Sequence, residues 1–447
     1  MGRSKTLMEK GKEPERNAEE LKVVYVRSVA NALGTSMINP FIGPYAVKEL
    51  GASSSEMGWL QSVSNISNNI MQVFWGRLSD RLGRRVPFIF FGGLVVALLW
   101  VPLLFLKSAS QLVLLVALQA LLGSMAVPAW TALIGDLVPS SHLGRVNAKI
   151  NLWASVGSLT ATLASGIIMA SVGGTVREQI LIPTAVASTF GLISSIVMVR
   201  VKEKSGKNNK AEKPFIADLL DVVKVAKKSP NFLRYCTCSA LFTFFMSIAW
   251  PLFAITQVRV LNASMLEIAL LSVVQGIFTI FFIGWAGRLA DTVGRKPLLL
   301  LVRFGYVTVP LTYAFAPNIY ILIAIGAFWG AIAAFEQASV TTYLLDVSPE
   351  AHRGSFTAFY NLLIGTVTFF GSLIGGYLSD LTTSIYGLVL GLQIVYLVSA
   401  VGRGIGAATY FRLKETLKNR INSPRVLREF CHRATFLGHG RTIIGRL

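Results

Sequence analysis

The sequence predicts an all-α membrane protein with twelve transmembrane helices in two pseudo-symmetric six-helix bundles. Three observations carry that prediction. Of 447 residues, 53% are apolar and only 14% charged, whereas a water-soluble domain is roughly one-quarter charged. Mean hydropathy is +0.59. The first half of the chain also recurs in the second at a nearly constant offset. Disordered, collagenous and disulfide-scaffold classes are excluded by the apolar content and a count of 3 cysteines.

A spanning helix needs about 20 mostly apolar residues. Such runs fall at 22–47, 54–78, 86–106, 110–137, 145–172 and 178–200, then at 232–258, 265–289, 296–316, 318–346, 354–379 and 385–411. The organisation is therefore a polar cytoplasmic tail (1–21), an N-terminal bundle (22–200), a cytoplasmic linker (201–231), a C-terminal bundle (232–411) and a basic cytoplasmic tail (412–447). The first 20 residues have no apolar core, so the first span is expected to act as the insertion signal.

The net charge of +20 would suggest nucleic acid in a soluble chain. Here the charges lie outside the apolar runs. The predicted outer loops hold only Lys48, Lys107, Arg177 and Arg259 among the basic residues. That asymmetry predicts a multi-pass protein of the cell membrane with both termini cytoplasmic, and no nucleic-acid partner. In the linker, Phe215, Leu219, Leu220, Val223 and Ala226 share one helical face, which suits either a short amphipathic helix on the membrane or a plain tether. Cys236, Cys238, Cys431 and the four histidines show no ligand spacing, so neither metal nor cofactor is expected.

The repeat is read residue by residue. Gly76, Leu78, Asp80, Gly83, Arg84 and Arg85 recur as Gly287, Leu289, Asp291, Gly294, Arg295 and Lys296, an offset of 211. Pro40, Ser53 and Glu56 map to Pro251, Ser264 and Glu267 at the same offset. Asp136, Pro139, His142 and Gly144 map to Asp346, Pro349, His352 and Gly354 at 210. Six spans per repeat keep both halves in the same orientation, related by an axis along the membrane normal.

The doubled G-x-L-x-D-x-x-G-R-[RK] pattern at 76–85 and 287–296 resembles the signature of the major facilitator superfamily, and the resemblance extends over about 22–411. It implies two six-helix bundles that alternate access to a central cavity lined by spans 1, 4, 7 and 10. It also implies that Asp80 meets the start of span 11, and Asp291 the start of span 5, as an inter-bundle latch, with Arg81, Arg84 and Arg295 alongside. The physical basis is that a carboxylate suits the unpaired N–H groups of a helix start, and that glycine permits a tight turn. The alternative is that the basic residues only set topology. The span-4 arginine of drug/proton antiporters is replaced by Gln119, four residues before Gly123.

Polar side chains inside spans should face protein or water. Asn31, Thr35 and Asn39 recur at helical spacing in span 1, and Gln61, Asn65, Asn68 and Gln72 in span 2. They suit either substrate contact or inter-helix hydrogen bonding. Glu336 lies ten residues before Asp346, about 15 Å into the bilayer. An acid at that depth is a functional candidate, for a proton or a cationic group; the alternative is a structural pair with Arg303 or Arg403. Gln337 and Tyr343 are weaker companions. Phe242, Phe245, Trp250, Trp329 and Phe335 could wall the cavity or simply pack.

These readings predict a monomeric, non-enzymatic secondary transporter that moves a small organic solute, coupled to protons. The alternatives are multidrug efflux as the specific activity, or a non-transporting sensor on the same scaffold. No nucleotide-binding G-x-x-x-x-G-K-[ST] loop is present to power transport with ATP.

Overall fold

The computed structural model describes residues 2–201, 203, 229–350 and 353–417. The amphipathic stretch 215–226, the tail beyond 417, His352 and Cys431 lie outside the described residues. Among the described residues the chain is helical, with no strand. Its long elements are α1 (Gly2–Ser36), α2 (Ser54–Leu82), α3 (Val86–Phe105), α4 (Ala109–Leu137), α5 (Ser140–Ser171) and α6 (Val176–Arg200), then α7 (Pro230–Val260), α8 (Met265–Thr292), α9 (Arg295–Phe315), α10 (Ile319–Val347), α11 (Arg353–Tyr386) and α12 (Leu388–Arg412).

Ten of these, α3 to α12, are long and apolar enough to cross a membrane. The other two occupy the predicted positions of spans 1 and 2. The sequence of α1 opens on a polar, charged stretch, and the middle of α2 holds Gln61, Asn65, Asn68, Asn69 and Gln72. Polar residues that can face a bundle interior lower a helix's hydropathy without barring it from the membrane. The helix predicted to begin at 22 extends back to Gly2. Exposed apolar side chains such as Phe105, Leu114, Phe281 and Phe315 cover the outside, as lipid-facing surfaces require.

The repeated serine–glutamate pairs resolve as helix starts. Ser53 and Glu56 form a capping box on α2, and Ser264 and Glu267 form one on α8, satisfying orphan donors reciprocally. Gly83 ends α2 in the left-handed region (φ +61°), and Gly294 precedes α9 at φ +112°; only glycine tolerates these values readily. Pro40 sits in a one-turn 3₁₀ break after α1. Pro251 interrupts α7, which finishes in a π turn over Thr256–Val260, as expected where proline removes a ladder donor.

Packing divides the helices into two sets, α1–α6 and α7–α12. Between the sets, α2 lies along α11 and α5 along α8. Small residues permit both approaches. On α2, Ser54, Gly58 and Ser62 recur every four residues; Ser62 donates to the Phe369 carbonyl (2.8 Å) and Ser379 to Ser54 (3.0 Å). Gly166 of α5 packs on Ala269 of α8.

The bundles join at one end. One buried cluster draws Phe41, Tyr45 and Met57 together with Leu252, Ile255 and Met265. Toward the end carrying Asp80 and Asp291, each bundle has a separate core, exemplified by Phe88 and Leu133 in one and Phe232 and Phe356 in the other. The hydrogen bonds between bundles follow the same division. Ser54 and Ser55 donate their backbone N–H groups to Asp380 of α11 (3.0 and 2.9 Å), and Arg259 donates to the Gly51 and Ala52 carbonyls (3.1 and 2.8 Å). The bundles are thus clasped at the end bearing Glu56 and Glu267 and separate toward the motif end.

Candidate functional site

Each bundle contains a cavity on its polar side. In the N-terminal bundle about 560 Å³ is bounded by α1 to α5, with Asn31, Asn39, Asn68, Arg27 and Gln119 on its wall. Asn31, Thr35 and Asn39 all lie on that wall, Asn39 from the 3₁₀ turn beyond the end of α1. Asn68 joins them, whereas Asn65 donates to the Gln61 carbonyl (2.8 Å) and receives the Asn69 amide on its own carbonyl (2.8 Å). Gln72 is half-buried and stands outside that wall. Arg27 is 7% exposed and lies 4.1 Å over the Trp130 ring. Gln119 is buried with its Nε2 unbonded.

In the C-terminal bundle a cavity of about 350 Å³ is bounded by α7, α8, α9, α10 and α12. Glu336 and Trp250 line it, as does Trp329. Gln337, one residue on, is exposed: a helix turns about 100° per residue, so the neighbour of a cavity-facing residue points elsewhere. The Glu336 carboxylate accepts from Arg303 Nη1 (2.9 Å) and from the Tyr306 hydroxyl (2.7 Å). Arg303 is 3% exposed and stacks over Phe242 and Tyr410 (4.8 and 5.3 Å). Of the two arginines considered as partners for Glu336, the structure selects Arg303. Arg403, 1% exposed, bonds Ser399 Oγ, the Tyr306 carbonyl and the Met246 carbonyl (3.1, 2.8 and 3.1 Å). Neither arginine snorkels out.

The remaining aromatics divide. Phe242 lies beneath Arg303, Phe335 packs on Phe282 (6.3 Å) and Phe245 lies against Gly402. The cavity wall is instead Trp250, Phe253, Tyr306, Tyr313 and Trp329. Tyr313 stacks on Trp329 (5.9 Å, 13°) and meets Phe253 at 4.3 Å. Tyr343 is fully buried and donates to the Lys414 carbonyl (2.8 Å).

At the motif end the aspartates bond within their own bundles. Asp80 pairs with Arg85 (2.5 Å), whose Nε lies 3.7 Å from Asp136. Asp291 pairs with Arg295 (3.5 Å), whose Nε lies 3.2 Å from Asp346. These are matching Asp–Arg–Asp triads. These ion pairs of the two motif aspartates each lie within one bundle, whereas the resemblance implies a latch between bundles. Asp80 and Asp291 are largely exposed, and Arg81 and Arg84 are exposed. Gly76 packs toward Pro128, while Gly287 has open space beside it.

At the motif end two carboxylates escaped the sequence reading. Glu203 accepts the backbone N–H groups of Arg85 and Val86 at the start of α3. Glu415 accepts those of Arg295 and Lys296 (3.0 and 3.2 Å) at the start of α9. Burial disfavours the Glu415 carboxylate, yet backbone donors from Leu417, Arg295, Lys296 and Thr416 hold it below the usual carboxylate range. A signal was present: Arg200, Lys202 and Glu203 recur as Arg412, Lys414 and Glu415, an offset of 212.

The chain matches the Major Facilitator Superfamily over residues 25–253 and 235–445. It is 25% identical over 395 residues to an uncharacterised MFS-type transporter of Methanocaldococcus jannaschii, covering 85% of this chain and 95% of that one. It is 26% identical over 376 residues to the multidrug resistance protein MdtG of Proteus mirabilis, covering 81% and 89%. Among solved structures, a D-xylose–proton symporter superposes with a TM-score of 0.68 at 14% identity, covering 89% of this chain and 98% of that one. The nucleoside transporter NupG gives 0.66 at 11%, covering 88% and 98%. At those identities the two structures speak for the fold alone. Six-plus-six helix packing, the doubled aspartate–arginine motif and a family match along nearly the whole chain agree: this multi-pass membrane protein belongs to the major facilitator superfamily of transporters.

Proposed function

We propose that the chain is a secondary active transporter that carries a small organic solute across the cell membrane by alternating access, with protons as the coupling ion and Glu336 as their acceptor. It works as a monomer with both termini in the cytoplasm, so the conformation described here is open inward. The single observation that carries the coupling is Glu336 itself. It is an acid on a spanning helix, lining a cavity, and held by an arginine buried to 3% exposure. An intramembrane carboxylate is costly and is kept where it binds or relays an ion. Protonating it removes its charge from Arg303 and Tyr306, and so loosens α10 from α9 beside the cavity. Asp80 and Asp291, paired within their own bundles here, would engage the opposite one when the inner end closes.

Reconstituted protein under an imposed pH gradient tests the reading. Wild type should move protons when its solute is supplied, detected by an internal pH dye. Glu336→Gln should abolish solute-linked proton movement while keeping the wild-type elution profile. Undiminished proton movement in that variant removes Glu336 from the mechanism. Absence of flux for every member of a broad metabolite and drug panel removes transport itself.

A further inference from the structure

We infer that the solute is an organic anion with a planar ring, its acidic group held by Arg403 and its ring lying on the Phe253–Tyr313–Trp329 shelf. The inference rests on the transport reading above and names the substrate class of that site.

The charges in the C-terminal cavity do not balance. Among the described residues Glu336 is the only acid on its wall, and both its oxygens are committed, one to Arg303 and the other to Tyr306. Arg403 shares the wall, yet none of its hydrogen bonds is to a carboxylate. Its three partners are a hydroxyl and two carbonyls, which satisfy donors without neutralising charge. A guanidinium has five N–H donors, so two remain. An uncompensated cation at 1% exposure is expensive. A ligand carboxylate would supply the missing counter-charge in a fork geometry that guanidinium matches, in surroundings where the attraction is poorly screened.

The second cavity has the same sign. Arg27 lines it beside Gln119 Nε2, which lacks a partner. No acid lies on that wall, and Arg27 has no ion-pair partner among the described residues. Trp130 screens the charge by cation–π contact but cannot cancel it. Both halves of the path therefore present an unneutralised guanidinium, which opposes a cationic solute and favours an anionic one. The ring follows from the shelf. Phe253, Tyr313 and Trp329 line the same 350 Å³ as Arg403, an aromatic wall suited to a flat, partly apolar body.

The coupling would then be cooperative. The groups facing Glu336 are Arg303 and Tyr306 from α9, with Arg403 of α12 on the same wall. A proton on Glu336 leaves the wall more positive when the anion arrives, so proton and anion should travel in the same direction.

The experiment compares three ring-matched probes on the purified full-length protein by calorimetry and thermal shift: indole-3-acetate, indole-3-acetamide and tryptamine. Benzoate, benzamide and benzylamine form a second set. The acid should bind roughly tenfold or more tightly than its amide, as charge-assisted hydrogen bonds outweigh neutral ones, and the amine more weakly still. Arg403 itself is left in place, because its bonds tie α12 to α7 and α9. Gln275→Glu instead sets a near-isosteric carboxylate on the same wall, and should lower the acid-to-amide affinity ratio roughly tenfold. The inference is overturned if amide or amine binds as well as acid, if no probe of either set binds, or if Gln275→Glu leaves the ratio unchanged. Proton-linked flux of neutral or cationic solutes without preference for acids would overturn it too, while leaving transport intact. Loss of all flux would instead fell the transport reading.

Discussion

Asp380 offers a direct handle on the conformational equilibrium. Its carboxylate belongs to one bundle but accepts the Ser54 and Ser55 N–H groups that start α2 of the other (3.0 and 2.9 Å). Ser53 takes the Glu56 N–H, and Glu56 takes the Ser53 N–H. The first turn of α2 is thus fully satisfied only while the bundles are clasped. Removing a capping side chain costs about 0.5–2 kcal/mol, and the negative charge at a helix start adds a few tenths. Asp380→Ala should therefore cost the clasped state about 2 kcal/mol, which is roughly a 30-fold shift toward separation at that end. Asp380→Asn keeps one acceptor and should shift it less. Spin labels at Lys107→Cys and Tyr386→Cys, with the native cysteines replaced, report the separation by electron–electron double resonance. A longer-distance population should grow in the order wild type, Asn, Ala. An identical distance distribution in all three would refute the idea that this cap holds the mouth shut.

Two further outcomes follow from the same geometry. A Cβ on Gly376 would lie 2.5 Å from the Ser54 carbonyl oxygen. Gly376→Ala should therefore wedge α2 from α11 at about 1–3 kcal/mol, raising the same long-distance population roughly 5- to 150-fold while each bundle stays folded; disulfide trapping across that interface measures it. At the other end Glu415 is held below its ordinary value, so its contribution is complete above the normal carboxylate range near about 4.3 and is lost as pH falls through the lowered value. Hydrogen exchange at the Arg295 and Lys296 amides should be faster in Glu415→Gln than in wild type at pH 7, with the difference vanishing in acid. An equal difference at both pH values would dismiss the ionised cap.

Periodicity and repetition made most of the architecture legible. Serine–glutamate anchors 211 residues apart became matching capping boxes, and the polar faces of α1 and α2 lie where amides can find partners. What stayed hidden depends on contacts between distant segments. Nothing local marks Asp380 as a cap for a helix 325 residues away. Glu336 could be singled out by depth, but its choice of Arg303, and the isolation of Arg403 from any carboxylate, depend on how α7, α9 and α12 pack. The intra-bundle pairing of Asp80 with Arg85 and of Asp291 with Arg295 likewise depends on where the chain turns bring those side chains. The Arg–x–Lys–Glu recurrence ending at 203 and 415 is visible in the sequence, but a single acid in a basic stretch reads as ordinary solvated charge.

The matching triads bear on how easily the molecule can rock. Since Asp80, Arg85 and Asp136, like Asp291, Arg295 and Asp346, settle their charges inside one half, pulling the halves apart at that rim strands no ion in oil. At the motif end each half is a self-contained electrostatic unit, so resistance to rocking is concentrated at the opposite rim, where Asp380 and Arg259 reach across.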